Sequence, residues 1–404
     1  VLLKLAWRNI WRNKRRSLIV IGSVVVGVIA AILLDALQGG MVNQMLFNQI
    51  SLNVSHIQIH KKGFNDHKEI KSFLPHPGTV EKILKNEKRV KYYSKRVITF
   101  GLLSSADNSA GVFIYGIEPS REAKVSIVNK LLVRGKYFTG GTREIVLGER
   151  LAKKLNVDLG DKVVAMANTP DGSIGSEVFR VVGLFKSASS EFDKSYIFVP
   201  IQTAQKMLGI GNRFHEIAII TKDYKFVEPT ANALQKKLGK DYEALSYQEL
   251  LPLLVLQMDL YKQLLVIVNM IIALALVFGI INAMLMAVYE RIQEIGVLMS
   301  IGMKNGKIFT MILTEAFIIG ILGTVLGMVL GYGINSLFLS NGVDLRWFAE
   351  SLSSFGVGAI IYPKISLENF IQVVTIIPFV SVIGAIYPAL KAIKLEPVTA
   401  IRYV

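Results

Sequence analysis

The chain has 404 residues, 52% of them hydrophobic, with a mean hydropathy of +0.45 and a formal charge of +16. That is too apolar for an ordinary soluble protein and too mixed for one wholly embedded in lipid, so a membrane part plus a soluble domain is expected. Cysteine is absent, which excludes disulfides, thiolate metal sites and cysteine nucleophiles.

The chain opens on a basic stretch with Lys4, Arg8, Arg12, Lys14, Arg15 and Arg16 and no acid among them. Wound as a helix, it puts Leu3, Trp7, Ile10 and Trp11 on one face and Lys4, Arg8, Arg12 and Arg15 on another. Such a helix suits the inner membrane interface, or serves simply as a topology signal. Residues 18–34 follow without a charge and form the first expected span, too long an apolar run for a cleaved leader. Residues 38–262 read as a mixed α+β domain. Alternation at 53–60 and in pieces of 96–103 and 112–117 predicts strands, and 162–167, 178–185, Tyr196–Pro200 and Glu216–Thr221 are further strand candidates. Helical spacing marks 79–86, Glu149–Leu155, 201–208 and 226–238, and a capping box at Ser246 and Glu249 is expected to start a helix running into the second span. Uncharged runs at 263–289, 316–343 and 369–390 complete four spans. The fold class is therefore four transmembrane helices with an α+β domain inserted between helices 1 and 2. The domain limits are 1–37, 38–262 and 263–404.

Lysine and arginine cluster before span 1, after span 4 (Lys391, Lys394, Arg402) and between spans 2 and 3 (Arg291, Lys304, Lys307). Both termini and that loop are thus expected in the cytoplasm, with the large domain outside. No phosphate-binding loop, HExxH or GxSxG pattern occurs, so an enzyme of the usual kinds is not expected, nor nucleic acid as a partner. His56 and His60 share a strand face, but no acidic residues accompany them at ligand spacing, and no metal site is assigned. Asp35 and Glu315 sit inside or beside spans, as interfacial residues or as members of a proton relay.

Residues 290–303 form a short amphipathic helix between spans 2 and 3. Ile292, Ile295, Leu298 and Met299 make its apolar face, and Glu290, Arg291 and Glu294 its charged face. Gly296 allows close backbone approach and Gly302 ends the helix.

The segment ERIQEIGVLMSIGM at 290–303 resembles the signature of permeases of the macrolide-exporter and lipoprotein-releasing type of ABC transporter. Three further stretches look like that family's motifs in the family's order: AWRNIWRNKRRS at 6–17, EIVLGERLAKKLNVDLGDK at 144–162 and YPALKAIKLEPVTAIRY at 387–403. The resemblance implies an inner-membrane, multi-pass permease with a periplasmic domain, working by mechanotransmission with a separate cytosolic ATPase dimer. ATP and magnesium would be bound by that partner and no cofactor by this chain. A second permease copy or paralogue is implied as well. The residues expected to couple to the ATPase are Glu290, Arg291, Glu294, Gly296, Met299 and Gly302.

NTPDGSIGSE at 168–177 reads as a hairpin loop with Pro170, Asp171 and Gly172 as turn residues. It is similar to the hook by which the lipoprotein-releasing branch holds its periplasmic carrier, which would make Thr169, Pro170, Asp171, Gly172, Ser173 and Ile174 a carrier-binding site. An ordinary hairpin tip is the alternative. In that branch the cargo is a lipoprotein drawn from membrane lipid. By helical spacing, Val24, Val28 and Ile32 of span 1 and Met270, Leu274 and Phe278 of span 2 are the candidates to line its path. Two other readings stay open: an exporter of drugs, peptides or lipids in a tripartite pump, and a non-transporting regulator of a periplasmic cell-wall hydrolase.

Overall fold

The structure, a computed structural model, describes residues 2–12, 14–365, 367–394 and 396. Arg402, residues 397–403 of the C-terminal motif, and the side chains of Leu3 and Arg16 lie outside the described residues. Four helices among the described residues are long and apolar enough to cross a membrane. They are span 1 (Lys14–Gln49), span 2 (Pro252–Glu290), span 3 (Asn305–Asn341) and span 4 (Leu367–Ile393). The chain divides into two compact units: residues 1–43, 258–344 and 360–404 form one, and 44–257 with 345–359 the other. The helix of span 1 runs past Asp35, which is only 4% exposed, to Gln49. A charge ends an apolar run without ending a helix, so the domain begins later than composition alone indicates.

In lipid, helices associate where small residues let their backbones approach. Gly323, Gly327 and Gly331 form such a stripe on span 3. A Cβ at Gly323 would fall 2.6 Å from Val24 Cγ1, and one at Gly327 2.7 Å from Val28 Cβ, while Ile32 faces Gly331. Val24 and Val28 are therefore fully buried and Ile32 nearly so. This corrects their expected place on a substrate path: they are seated in span 3 of their own chain. Span 1 is apolar on every side, so periodicity could not say which face packs; the glycines of the neighbouring helix decide it. Span 4 meets span 3 at Gly320, opposite Ser381, and buries Ala385, Ala389 and Ala392.

The N-terminal helix (Leu2–Arg12) buries Ala6, Asn9 and Ile10 and leaves Trp7 and Trp11 exposed, their rings edge to face at 5.9 Å. The face expected to carry Trp7, Ile10 and Trp11 together is thus divided, with Ile10 turned inward.

In the second unit, ten strands among the described residues form one sheet. They are β1 (Ile57–Lys61), β2 (Val90–Ser104), β3 (Ser109–Ile117), β4 (Leu132–Gly135), β5 (Glu144–Gly148), β6 (Lys162–Asn168), β7 (Ile174–Phe185), β8 (Tyr196–Pro200), β9 (Glu216–Thr221) and β10 (Tyr242–Ser246). The order is β10-β1-β9-β2-β3-β8-β5-β7-β4, with β6 paired to β2 and β7. Parallel pairs β3–β8 and β5–β7 interrupt an otherwise antiparallel sheet. Helices Pro77–Asn86, Glu149–Leu155, Ile201–Met207 and Val227–Leu238 bury Leu84, Leu151, Ala204 and Leu234 in the core that covers it. The expected strands are present, though the first is shorter: residues Ile50–Val54 close span 1 as a π-helix before β1 begins. The capping box at Ser246 and Glu249 forms, yet its helix stops at Leu250. Leu251 precedes Pro252, and a residue before proline is pushed out of the helical region, so span 2 starts afresh at Pro252.

Residues 345–359 join this unit from the far end of span 3. Asn48 Nδ2 donates to the Gly356 carbonyl at 2.8 Å, and Arg150 donates to Ser353 Oγ at 3.4 Å. At the neck of this excursion Val343–Asp344 pairs with Ile360–Ile361.

Deep in the sheet, Arg96 is 1% exposed. It donates to Glu122 Oε1 at 2.5 Å, Glu216 Oε1 at 2.8 Å and the Asn53 carbonyl at 2.5 Å. His60 Nε2 lies 3.5 Å from the other oxygen of Glu216. His56 hydrogen-bonds Thr221 at 2.8 Å, and burial lowers its pKa to about 4. Among the described residues no group of three or more His, Asp or Glu side chains could hold a metal ion. Removing one partner from a buried ion pair leaves the other charge uncompensated. Arg96→Met, which leaves Glu122 and Glu216 buried without the guanidinium, should therefore cost roughly 3–5 kcal/mol, read as a lower denaturation midpoint of the full chain in detergent. Glu122→Ala should cost less, because Glu216 and the Asn53 carbonyl still hold Arg96.

Candidate functional site

Span 2 ends where Arg291 leaves the helical region (φ −119°, ψ 19°), and a separate link helix, Ile292–Ser300, follows. Its C-terminus is a Schellman motif: the Gly302 N–H bonds the Met299 carbonyl and the Met303 N–H bonds the Leu298 carbonyl, both at 3.0 Å. Gly302 has φ +92°, a conformation that penalises any side chain.

Ile292, Ile295 and Gly296 are buried, and Met299 packs against the same cluster of span residues. The charged face differs from expectation. Arg291 is 8% exposed and turns inward, donating to both oxygens of Glu315 in span 3 at 3.3 and 3.2 Å. It also donates to Glu294 at 3.2 Å, which accepts from Arg12 of the N-terminal helix at 2.5 Å. Burial alone would raise the Glu294 pKa, but hydrogen bonds from Arg12 and Arg291 outweigh it and hold the carboxyl below its ordinary value. Glu290 is exposed at the end of span 2. The link presents to solvent Gln293, Glu294, Val297 and Ser300, followed by Ile301, which is 76% exposed. Sequence reasoning missed Arg12, Val297 and Ile301, and paired Glu315 with nothing. The available signal was Glu315 itself, an acid in a span whose nearest cation by sequence, other than surface lysines, is the arginine at the preceding bend.

The loop between β6 and β7 is a tight turn. The Gly172 N–H bonds the Thr169 carbonyl at 3.0 Å and the Thr169 N–H the Ser173 carbonyl at 2.9 Å, with Pro170 in the first corner position. Asp171 accepts from the Thr169 hydroxyl, from the Ser173 N–H at 3.1 Å and from the Ser173 hydroxyl at 2.8 Å. The Thr169 hydroxyl, followed by Ser173, holds the Asp171 carboxyl down at about 2. Ile174 follows, 71% exposed. At Gly175 the strand passes so close to the Met207 carbonyl that no Cβ fits. The tip is thus polar, internally bonded and fixed at its base.

Met270, Leu274 and Phe278 of span 2 are 66%, 58% and 61% exposed. They form an apolar stripe open to lipid or to another chain, without the span 1 residues expected beside them.

Two measurements test this geometry. Glu315→Gln should loosen the link without unfolding the spans, read as faster hydrogen exchange of the Ile292–Ser300 amides, and Arg291→Gln should do the same. Equal exchange in both variants and the parent would remove the ion pair from its positioning role. At the hairpin, Asp171 stays ionised above its unfolded value near 3.8, so the turn keeps its bonds at neutral pH and loses them as pH falls through about 2. Asp171→Ala should unprotect the Ser173 amide at pH 7.

Comparison with known proteins agrees with this architecture. Residues 17–237 match the family model described as MacB-like periplasmic core domain, and residues 266–397 match that described as FtsX-like permease C-terminal. The lipoprotein-releasing system transmembrane protein LolC of Neisseria meningitidis serogroup B is 24% identical over 79% of this chain and 79% of its own length. An uncharacterised ABC transporter permease of Methanocaldococcus jannaschii is 24% identical over 99% of this chain and 97% of its own. The macrolide export ATP-binding/permease protein MacB of Agrobacterium fabrum is 23% identical over 99% of this chain and 60% of its own. Matched over more than half its length by the periplasmic core model and over spans 2 to 4 by the permease model, the chain belongs to the MacB-like and FtsX-like family of ABC transporter permeases.

Proposed function

We propose that this permease draws lipid-anchored proteins from the inner membrane and passes them to a periplasmic carrier, driven by a cytosolic ABC ATPase dimer. The observation that carries the reading is the link helix: tied to span 3 through Arg291 and Glu315, it offers Glu294, Val297 and Ile301 outward. Two exposed apolar side chains beside a carboxylate suit a groove on a cytosolic partner, and a push on them is delivered to spans 2 and 3 together. In this reading both termini and the link are cytoplasmic and the inserted domain is periplasmic. The ATPase binds ATP and magnesium, and a second permease copy or paralogue faces Met270, Leu274 and Phe278 across the path of the acyl chains. The hairpin tip from Thr169 to Ile174 holds the carrier: Pro170 and the Asp171 bonds fix its shape beforehand, which limits the entropy lost on binding, and Ile174 supplies an exposed apolar contact.

Support for lipoprotein as cargo comes from the Neisseria relative, a lipoprotein-releasing system transmembrane protein. Macrolide export, after which the Agrobacterium relative is named, is the competing reading. Proteoliposomes containing the permease, its ATPase and a lipoprotein decide between them. ATP should release lipoprotein to a soluble carrier, and Val297→Asp with Ile301→Asp should abolish release while the permease still folds. Pro170→Gly should weaken carrier capture several-fold and leave ATP hydrolysis unchanged. Absence of lipoprotein release, with ATP-dependent macrolide transport instead, would overturn the proposal.

A further inference from the structure

Within the membrane unit a slot of about 250 Å³ opens between spans 1, 2 and 4. Along span 2 it extends from Val266 to Leu276, with Ala31 of span 1 at its back and Ile376 of span 4 on the opposite wall. Its walls are apolar apart from two amides, Asn269 and Gln372. Gln372 lies near the start of span 4 and Asn269 near the start of the uncharged run 263–289 of span 2, in each case towards the side that adjoins the inserted domain in sequence, whereas Leu276 lies further along span 2. Ten residues of helix measure about 15 Å, which is half of a bilayer core of ~30 Å. The slot is therefore about one leaflet long, with both amides in the half towards the inserted domain and only apolar side chains beyond them towards Leu276.

We propose that this slot binds a single acyl chain whose ester or amide carbonyl accepts hydrogen bonds from the Asn269 and Gln372 side-chain amides. The chain can belong to a membrane phospholipid or to a lipid-anchored molecule; the chemistry the slot recognises is the same. A carbonyl carried below the headgroups has lost its water and needs a donor, and an amide N–H₂ provides two. The inference requires only that the spans cross a bilayer and does not rest on lipoprotein as cargo. It also differs from a path between two permease copies in that all three walls come from one chain, with Met270 bordering both.

The test uses the full chain with its ATPase in vesicles of phosphatidylethanolamine and phosphatidylglycerol. A small fraction of the phospholipid carries a diazirine midway along one acyl chain. After illumination, peptide mass spectrometry should find adducts around Ala273 and Ile376 several-fold above those at Val329 and Leu330, which are exposed on span 3. Ala273→Phe fills the slot and should abolish the enrichment. Should that variant fail to assemble, Asn269→Leu with Gln372→Leu gives a second reading: several-fold weaker labelling in the slot and unchanged labelling at Val329. Adding a triacylated peptide separates the sources. Competition assigns the slot to lipid-anchored molecules, and its absence assigns it to membrane phospholipid. Labelling no higher than at Val329, labelling unchanged in the slot variants, or adducts replaced by contacts to a second copy of the chain would overturn the proposal.

Discussion

An arginine buried at a helix break governs the membrane unit. Arg291 ends span 2, and its guanidinium is placed between Glu315 of span 3 and Glu294 of the link helix. Desolvating such charges costs several kcal/mol per ion, which only good geometry with further hydrogen bonds repays. The bend at Arg291 cannot relax without separating that pair. One side chain thereby sets the angle between span 2 and the link, and the height of the link against span 3. Through Glu294 and Arg12 it also sets where the N-terminal helix lies. The outward position of Val297 and Ile301 is a consequence of this arrangement.

The inserted domain contains a second buried guanidinium with a comparable task. Arg96 gathers Glu122 from a helix, Glu216 from β9 and the Asn53 carbonyl from the segment preceding β1. Packed hydrophobic residues could fill that volume at no loss of stability. They could not specify which helix turn and which strand meet there, and in a sheet whose β2 strand pairs with three neighbours such directional contacts fix one arrangement.

Much of this was legible in the residues. Uncharged runs located the spans, alternation located β1, β2 and β3, and the turn chemistry of Pro170, Asp171 and Gly172 located the hairpin. Several failures share one cause, which is that a pattern reports a contrast and vanishes where contrast does. Span 1 is apolar on all sides and carries no sign of its packed face, so Val24, Val28 and Ile32 were misplaced. The readable sign was on span 3, in glycines four apart. β5 is buried throughout and shows no alternation, and β4 is too short to show one. Arg291 read as part of a solvated charged face because its partner lies 24 positions away. Val297 and Ile301 read as unremarkable apolar residues, since exposure cannot be deduced from a residue type.

The excursion of residues 345–359 has a kinetic meaning. Its two ends are covalently held by spans 3 and 4 and drawn together by the Val343–Asp344 and Ile360–Ile361 pairing. Rebinding after any local detachment is therefore an intramolecular event, with an effective concentration that can reach the millimolar range for so short a tether. The Asn48 bond to Gly356, the Arg150 bond to Ser353 and the burial of Leu352 and Val357 therefore hold the segment more firmly than they would hold the same residues as a free peptide. Any local detachment is quickly reversed.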